Sequence, residues 1–235
     1  MKAGTDLTAT GTLPTIAQRA VAEGVGTALL LAAIVGSGIM GERLAGGNIA
    51  IALLANSLAT AGALAVLILV FGPISGAHFN PVVSVAMAIR RELSWRHVPA
   101  YFIMQLVGAV AGVAIAHAMF DMPLYVLSTH SRAGAAQAFS EVVATFGLLI
   151  VILGCARHRP AAIPYAVGCY IGAAYWFTAS TSLANPAVTV ARALTNTFSG
   201  IRPQDVAPFV IAQLAGTAAA ILFFSWLTKP RGAAG

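Results

Sequence analysis

The chain has 235 residues, 59% of them hydrophobic and 9% charged, with a formal net charge of +6. So few charges cannot cover the surface of a water-soluble domain, and a mean hydropathy of +0.86 makes a bilayer the solvent. The positive balance does not point to nucleic acid, because the basic residues sit in short connections beside apolar runs, where membrane topology accounts for them.

Residues 1–15 are polar, with Lys2 and Asp6 and no apolar core, and read as a cytoplasmic tail rather than a cleavable signal. Apolar runs then predict spans at 16–40, 48–71, 98–120, 135–155, 161–179 and 206–228. Residues 229–235 form a second cytoplasmic tail, so 16–228 is one channel-sized domain. Two segments between spans, 72–93 and 180–205, are too short to cross, and each carries one asparagine–proline pair inside apolar sequence. The pairs are Asn80-Pro81-Val82 and Asn185-Pro186-Ala187, each with a serine, Ser75 or Ser180, five residues before its asparagine. Asparagine caps a helix, and proline suits the first helical position because its missing N–H has no partner there anyway. Both segments are therefore expected to be half-helices that start within the bilayer and enter from opposite sides.

With both termini inside, nine lysines and arginines fall on the cytoplasmic side, including Arg19, Arg90, Arg96 and Arg157. Four fall outside: Arg43, Arg132, Arg192 and Arg202. That bias favours a cytoplasmic N-terminus. The halves also repeat, with repeat one at about 16–120 and repeat two at about 135–228. Glu23 matches Glu141, and Gln105 matches Gln213. Three spans per half is an odd number, so the second half runs through the membrane upside down. The expected fold is an all-α membrane protein of six transmembrane helices and two re-entrant half-helices in an inverted repeat.

The order of Glu23, the run from Ser75 to Pro81, Gln105, Glu141, Asn185-Pro186-Ala187 and Gln213 resembles the aquaporin and aquaglyceroporin family over essentially the whole chain after residue 15. The resemblance implies a right-handed helical bundle, one pore per subunit and a homotetramer. It places Asn80 and Asn185 together near the midplane, where their amides donate to a passing solute. Converging positive helix ends disfavour cations there. Glu23 and Glu141 are ionisable groups inside spans; they serve either as proton sites or as acceptors for the half-helix loops, and their symmetry, one per half, favours the second, in agreement with the resemblance, with Gln105 and Gln213 in a similar role. His78 has two readings, as a polar group at the cytoplasmic pore mouth and as a structural hydrogen-bonding partner.

The chain departs from the family at the outer selectivity filter. Most members carry arginine three residues after the second asparagine, and here that residue is Val188. A wider and less polar constriction is expected, with a weaker local barrier to cations. Counting back from Asn80 puts Thr60 at the filter, and Tyr175 or Ala173 represents the fifth span. Ser182 is the loop residue. Arg192 lies four residues beyond Val188 on the same helix face, and supplies a displaced vestibule charge or snorkels to the headgroups. Some bacterial members associated with arsenic-resistance systems also lack this arginine, and the chain resembles that group. The resemblance thus implies passive flow of small neutral solutes, As(OH)3 and methylated arsenicals as well as glycerol and water, across a bacterial inner membrane. A water-selective channel and a proton-coupled transporter are the alternatives. No metal-ligand set, nucleophile–base pair or cofactor motif is present. The glycine pairs Gly108/Gly112 and Gly168/Gly172 are expected at lipid-facing or subunit-facing contacts. Cys155 and Cys169 are read as packing residues.

Overall fold

A computed structural model describes residues 13–229. The sequence readings on 1–12 and 230–235, including Lys2, Asp6 and Arg231, lie outside the described residues.

Eight α-helices form the described chain: α1 Ile16–Leu44, α2 Ile49–Ser75, α3 Pro81–Ile89, α4 Val98–Met119, α5 Ala135–His158, α6 Ile163–Phe177, α7 Pro186–Arg192 and α8 Pro203–Leu227. Their starts follow local chemistry. Thr15 caps α1 in a reciprocal box with Gln18, and the Asn48 carboxamide accepts from the Ala50 and Ile51 N–H groups to open α2. Proline sits in the first turn of α3, α4, α6, α7 and α8.

Packing follows the repeat. In the first half α1 lies against α2 and α4; in the second, α5 lies against α6 and α8. The halves join where α2 meets α6, and each half-helix crosses over: α3 packs on α8, and α7 on α4. α1 is the most enclosed span, whereas α2 turns most of its apolar surface outward, as a lipid-facing helix does.

Five helices are long and apolar enough to cross a bilayer. The span expected at 161–179 is α6, with only 15 residues. At 1.5 Å per residue it reaches about 22 Å, short of the roughly 30 Å hydrocarbon core. A 3₁₀ turn at Pro160–Ala162 extends it at one end. At the other it stops eight residues before Asn185, whereas α2 continues to five residues before Asn80.

The glycine pairs are not on the outside. A Cβ on Gly108 would collide with the Gly24 carbonyl, and one on Gly112 with the Ala28 carbonyl. Both positions let α4 approach α1 within the subunit. Likewise a Cβ on Gly168 would stand 2.7 Å from the Ala61 carbonyl oxygen, so this pair serves the α2–α6 seam. The expectation of lipid or subunit contacts fails because the closest backbone approaches lie within the bundle. Cys155 is partly buried, but Cys169 is exposed on α6 and does not pack in the core.

Candidate functional site

The two pore loops are superimposable in their chemistry. Glu23, fully buried, accepts hydrogen bonds from the Ser75 hydroxyl (2.6 Å), the His78 and Phe79 N–H groups (2.9 and 2.6 Å) and the Gln105 amide (2.8 Å). Glu141, also fully buried, accepts from the Ser180 hydroxyl (2.6 Å), the Leu183 and Ala184 N–H groups (2.9 and 2.8 Å) and the Gln213 amide (2.6 Å). Each glutamine also donates to a hydroxyl on the half-helix of its own repeat, Gln105 to Ser84 and Gln213 to Thr189. These four acceptor contacts per carboxylate hold backbone that is strained on its own. Residues four, three and one before each asparagine have positive φ: Gly76, Ala77 and Phe79 in one loop, and Thr181, Ser182 and Ala184 in the other. Such non-glycine conformations persist where surrounding bonds over-determine them.

The asparagines then cross-link the loops. Asn80 Oδ1 accepts from the Val82 N–H at 3.1 Å, and Asn185 Oδ1 from the Ala187 and Val188 N–H groups at 3.0 and 3.3 Å. With each carbonyl held, the amides point the other way. Asn80 Nδ2 donates to the Ala184 carbonyl and Asn185 Nδ2 to the Phe79 carbonyl, both at 2.8 Å. Each carboxamide nitrogen carries two donors, so one proton per asparagine stays open. Phe79, whose carbonyl closes this link, fits its ring against Gly26 of α1, where any side chain would overlap it.

A cavity of about 430 Å³ runs past both asparagines. Arg19, His78 and Glu92 line one end, the end that carries the start of α1; Tyr175, Val188 and Arg192 line the other, here called distal. His78 does two things at once: it lines the cavity, and its Nδ1 lies 3.0 Å from the Ser84 hydroxyl. Its ring packs on Tyr101, whose hydroxyl accepts from Arg19 and donates to the Ser75 carbonyl. At the distal end Tyr175 faces the cavity, while Ala173 is exposed and does not line it. The Tyr175 hydroxyl donates to Thr60 at 3.3 Å. Thr60 is not among the lining residues and touches the pathway through that phenol. Ser182 lines the cavity, and its hydroxyl is buried with no protein partner. Of the pair boxes, Pro81, Val82, Pro186 and Ala187 form the first turns of α3 and α7 behind the asparagines.

Arg192 does not snorkel. It is 2% exposed, lines the cavity, and donates from Nε to the Ser199 carbonyl. A second arginine, passed over in the sequence as a loop charge, stands next to it. Arg132, from the connection between α4 and α5, donates to the carbonyls of Ser180 (3.2 Å), Phe198 (3.3 Å) and Gly200 (2.8 Å) and to the Thr181 hydroxyl (3.0 Å). Its backbone N–H donates to Asp205. Burial of the guanidinium and the neighbouring Arg192 charge lower its pKa to about 9. No spacing rule links position 132 to 180–200. Arg132 satisfies carbonyls of two irregular segments at once, Ser180 after the end of α6 and Phe198 and Gly200 between α7 and α8.

An inverted repeat of helices whose two asparagine–proline loops meet on one elongated cavity defines a membrane channel for small solutes. The chain belongs to the major intrinsic protein family, whose model matches residues 12–182. It is 53% identical over 215 residues to aquaglyceroporin AqpS of Rhizobium meliloti (strain 1021), covering 92% of each chain. It is 32% identical over 198 residues to aquaporin NIP2-1 of Oryza sativa subsp. japonica, covering 80% of this chain and 64% of that one. Among solved structures, the aquaglyceroporin from Plasmodium falciparum matches with a TM-score of 0.71 at 20% identity, covering 92% of this chain and 97% of that one. At that identity the likeness concerns the fold.

Proposed function

We propose that the chain is a passive channel of a bacterial inner membrane for small uncharged hydroxylated solutes, with glycerol and arsenite, As(OH)3, as well as water and methylated arsenicals, among those it passes. Both termini face the cytoplasm, so the distal end is outside, and four copies assemble with one pore each. The observation that carries the reading is Val188, buried on the cavity wall three residues after Asn185. Valine there offers no donors and less bulk than a guanidinium, which favours solutes wider than water. The remaining polar groups suit neutral solutes. The open amide protons of Asn80 and Asn185 donate to them. The relative's name, aquaglyceroporin, agrees with a solute of this size.

The transporter alternative loses support from the glutamates. Each accepts four hydrogen bonds that an added proton would disrupt, and neither lines the cavity. Purified protein in lipid vesicles should accelerate shrink–swell responses to glycerol and to arsenite without a proton gradient. Water flux with both solutes excluded contradicts the wide-pore reading.

A further inference from the structure

We propose that Arg192 is the cation barrier of the distal constriction, and that Arg132 is the residue that positions it. The inference rests on the reading of the cavity as a neutral-solute pathway. It adds which residue keeps ions out once the filter arginine is replaced by valine.

Val188 and Arg192 lie one turn apart on α7, and both line the cavity. Arg192 is almost wholly buried, yet the single hydrogen bond of its side chain among the described residues runs from Nε to the Ser199 carbonyl. Among the described residues the ion pairs are Arg90–Glu92 and Arg202–Asp205, so no carboxylate is in direct contact with it, and the opposing charge it feels, that of Glu141, is already engaged by the second loop. A buried guanidinium without a counter-ion is unstable unless its other donors reach water or solute. On the cavity wall they do. The charge is therefore directed at the pathway rather than absorbed by the protein, and it sits in a low-dielectric wall where repulsion is strong.

The seating is as specific as the charge. Three consecutive carbonyls, of Phe198, Ser199 and Gly200, alternate between two guanidiniums, the outer two accepting from Arg132 and the middle one from Arg192. The Ile201 N–H returns to the Arg192 carbonyl. Arg132 thus holds the segment that fixes the Arg192 head group. Being of like charge, it also pushes that head group away from itself.

The test is proton and sodium leak into dye-loaded vesicles under a potassium diffusion potential, measured beside glycerol flux. Arg192→Gln removes the charge but keeps a donor for Ser199, and should raise cation leak about tenfold or more. Arg192→Lys keeps the charge and should stay within about threefold of the original leak. Arg192→Met carries the same expectation as Arg192→Gln where the latter does not assemble. Arg132→Met should raise the ratio of cation leak to glycerol flux, whereas a merely structural role would lower both together. Glycerol flux with unchanged cation leak in the neutral Arg192 variants overturns the inference alone. Absence of glycerol flux in the original protein overturns the proposed function instead, and leaves the leak comparison standing.

Discussion

The loop before Asn80 and the loop before Asn185 take the same backbone path, yet the first turns through Gly76 at φ +92° and the second through Thr181 at φ +59°. Glycine reaches this region at no steric cost; a β-branched residue does so against its preference. The first loop is therefore held by its own carboxylate system, with α2 running up to it. The second has lost its last helical turn and recruits Arg132, which binds the Ser180 carbonyl and the Thr181 hydroxyl. The difference teaches where an inverted repeat tolerates change. The contacts around the glutamates and asparagines are kept in both copies, while the distal approach to the second copy is rebuilt from outside the repeat.

The largest expected effect tests what the copies share. Glu23→Ala and Glu141→Ala each orphan two buried loop N–H groups, at about 1–3 kcal/mol apiece, and should lower thermal stability in detergent by similar amounts. Strongly unequal losses would break the symmetry. Next, Arg132→Met should destabilise by about 2 kcal/mol, since it removes contacts to three carbonyls and one hydroxyl. Limited proteolysis should place the loosening at 178–184, with the first loop unaffected. Smaller again is Gly76→Ala, which forces a side chain into positive φ and brings its Cβ 3.0 Å from His78 Nε2. A loss of about 1–2 kcal/mol by thermal melting is expected. Thr181→Gly relieves strain but gives up the Arg132 contact, so it should change stability by less than about 1 kcal/mol.

Much of this was legible in the sequence. The asparagine–proline pairs, the matched glutamates and the odd number of spans per half determine the inverted repeat, because each is a local rule of capping or hydropathy with few solutions. Glu141 was readable as a loop acceptor from its match to Glu23. Arg132 was not, since its partners lie 48 to 68 residues away and nothing local announces them. The early end of α6 escaped for a related reason: hydropathy stays high through Phe177-Thr178-Ala179, and only the tertiary demand for a longer link unwinds it. The glycine pairs were seen but assigned to the wrong surface. A small-residue spacing says that a backbone approaches closely, not which one.

The account's central claim is that the distal end, not the shared midplane, sets what passes. Flux of water, glycerol and arsenite through vesicles carrying the original protein and Val188→Arg tests it directly. Restoring a guanidinium beside Arg192 should cut glycerol and arsenite flux by about tenfold while water flux falls by less than about threefold. Equal changes in all three fluxes, or none, would contradict the claim and return selectivity to the asparagine pair.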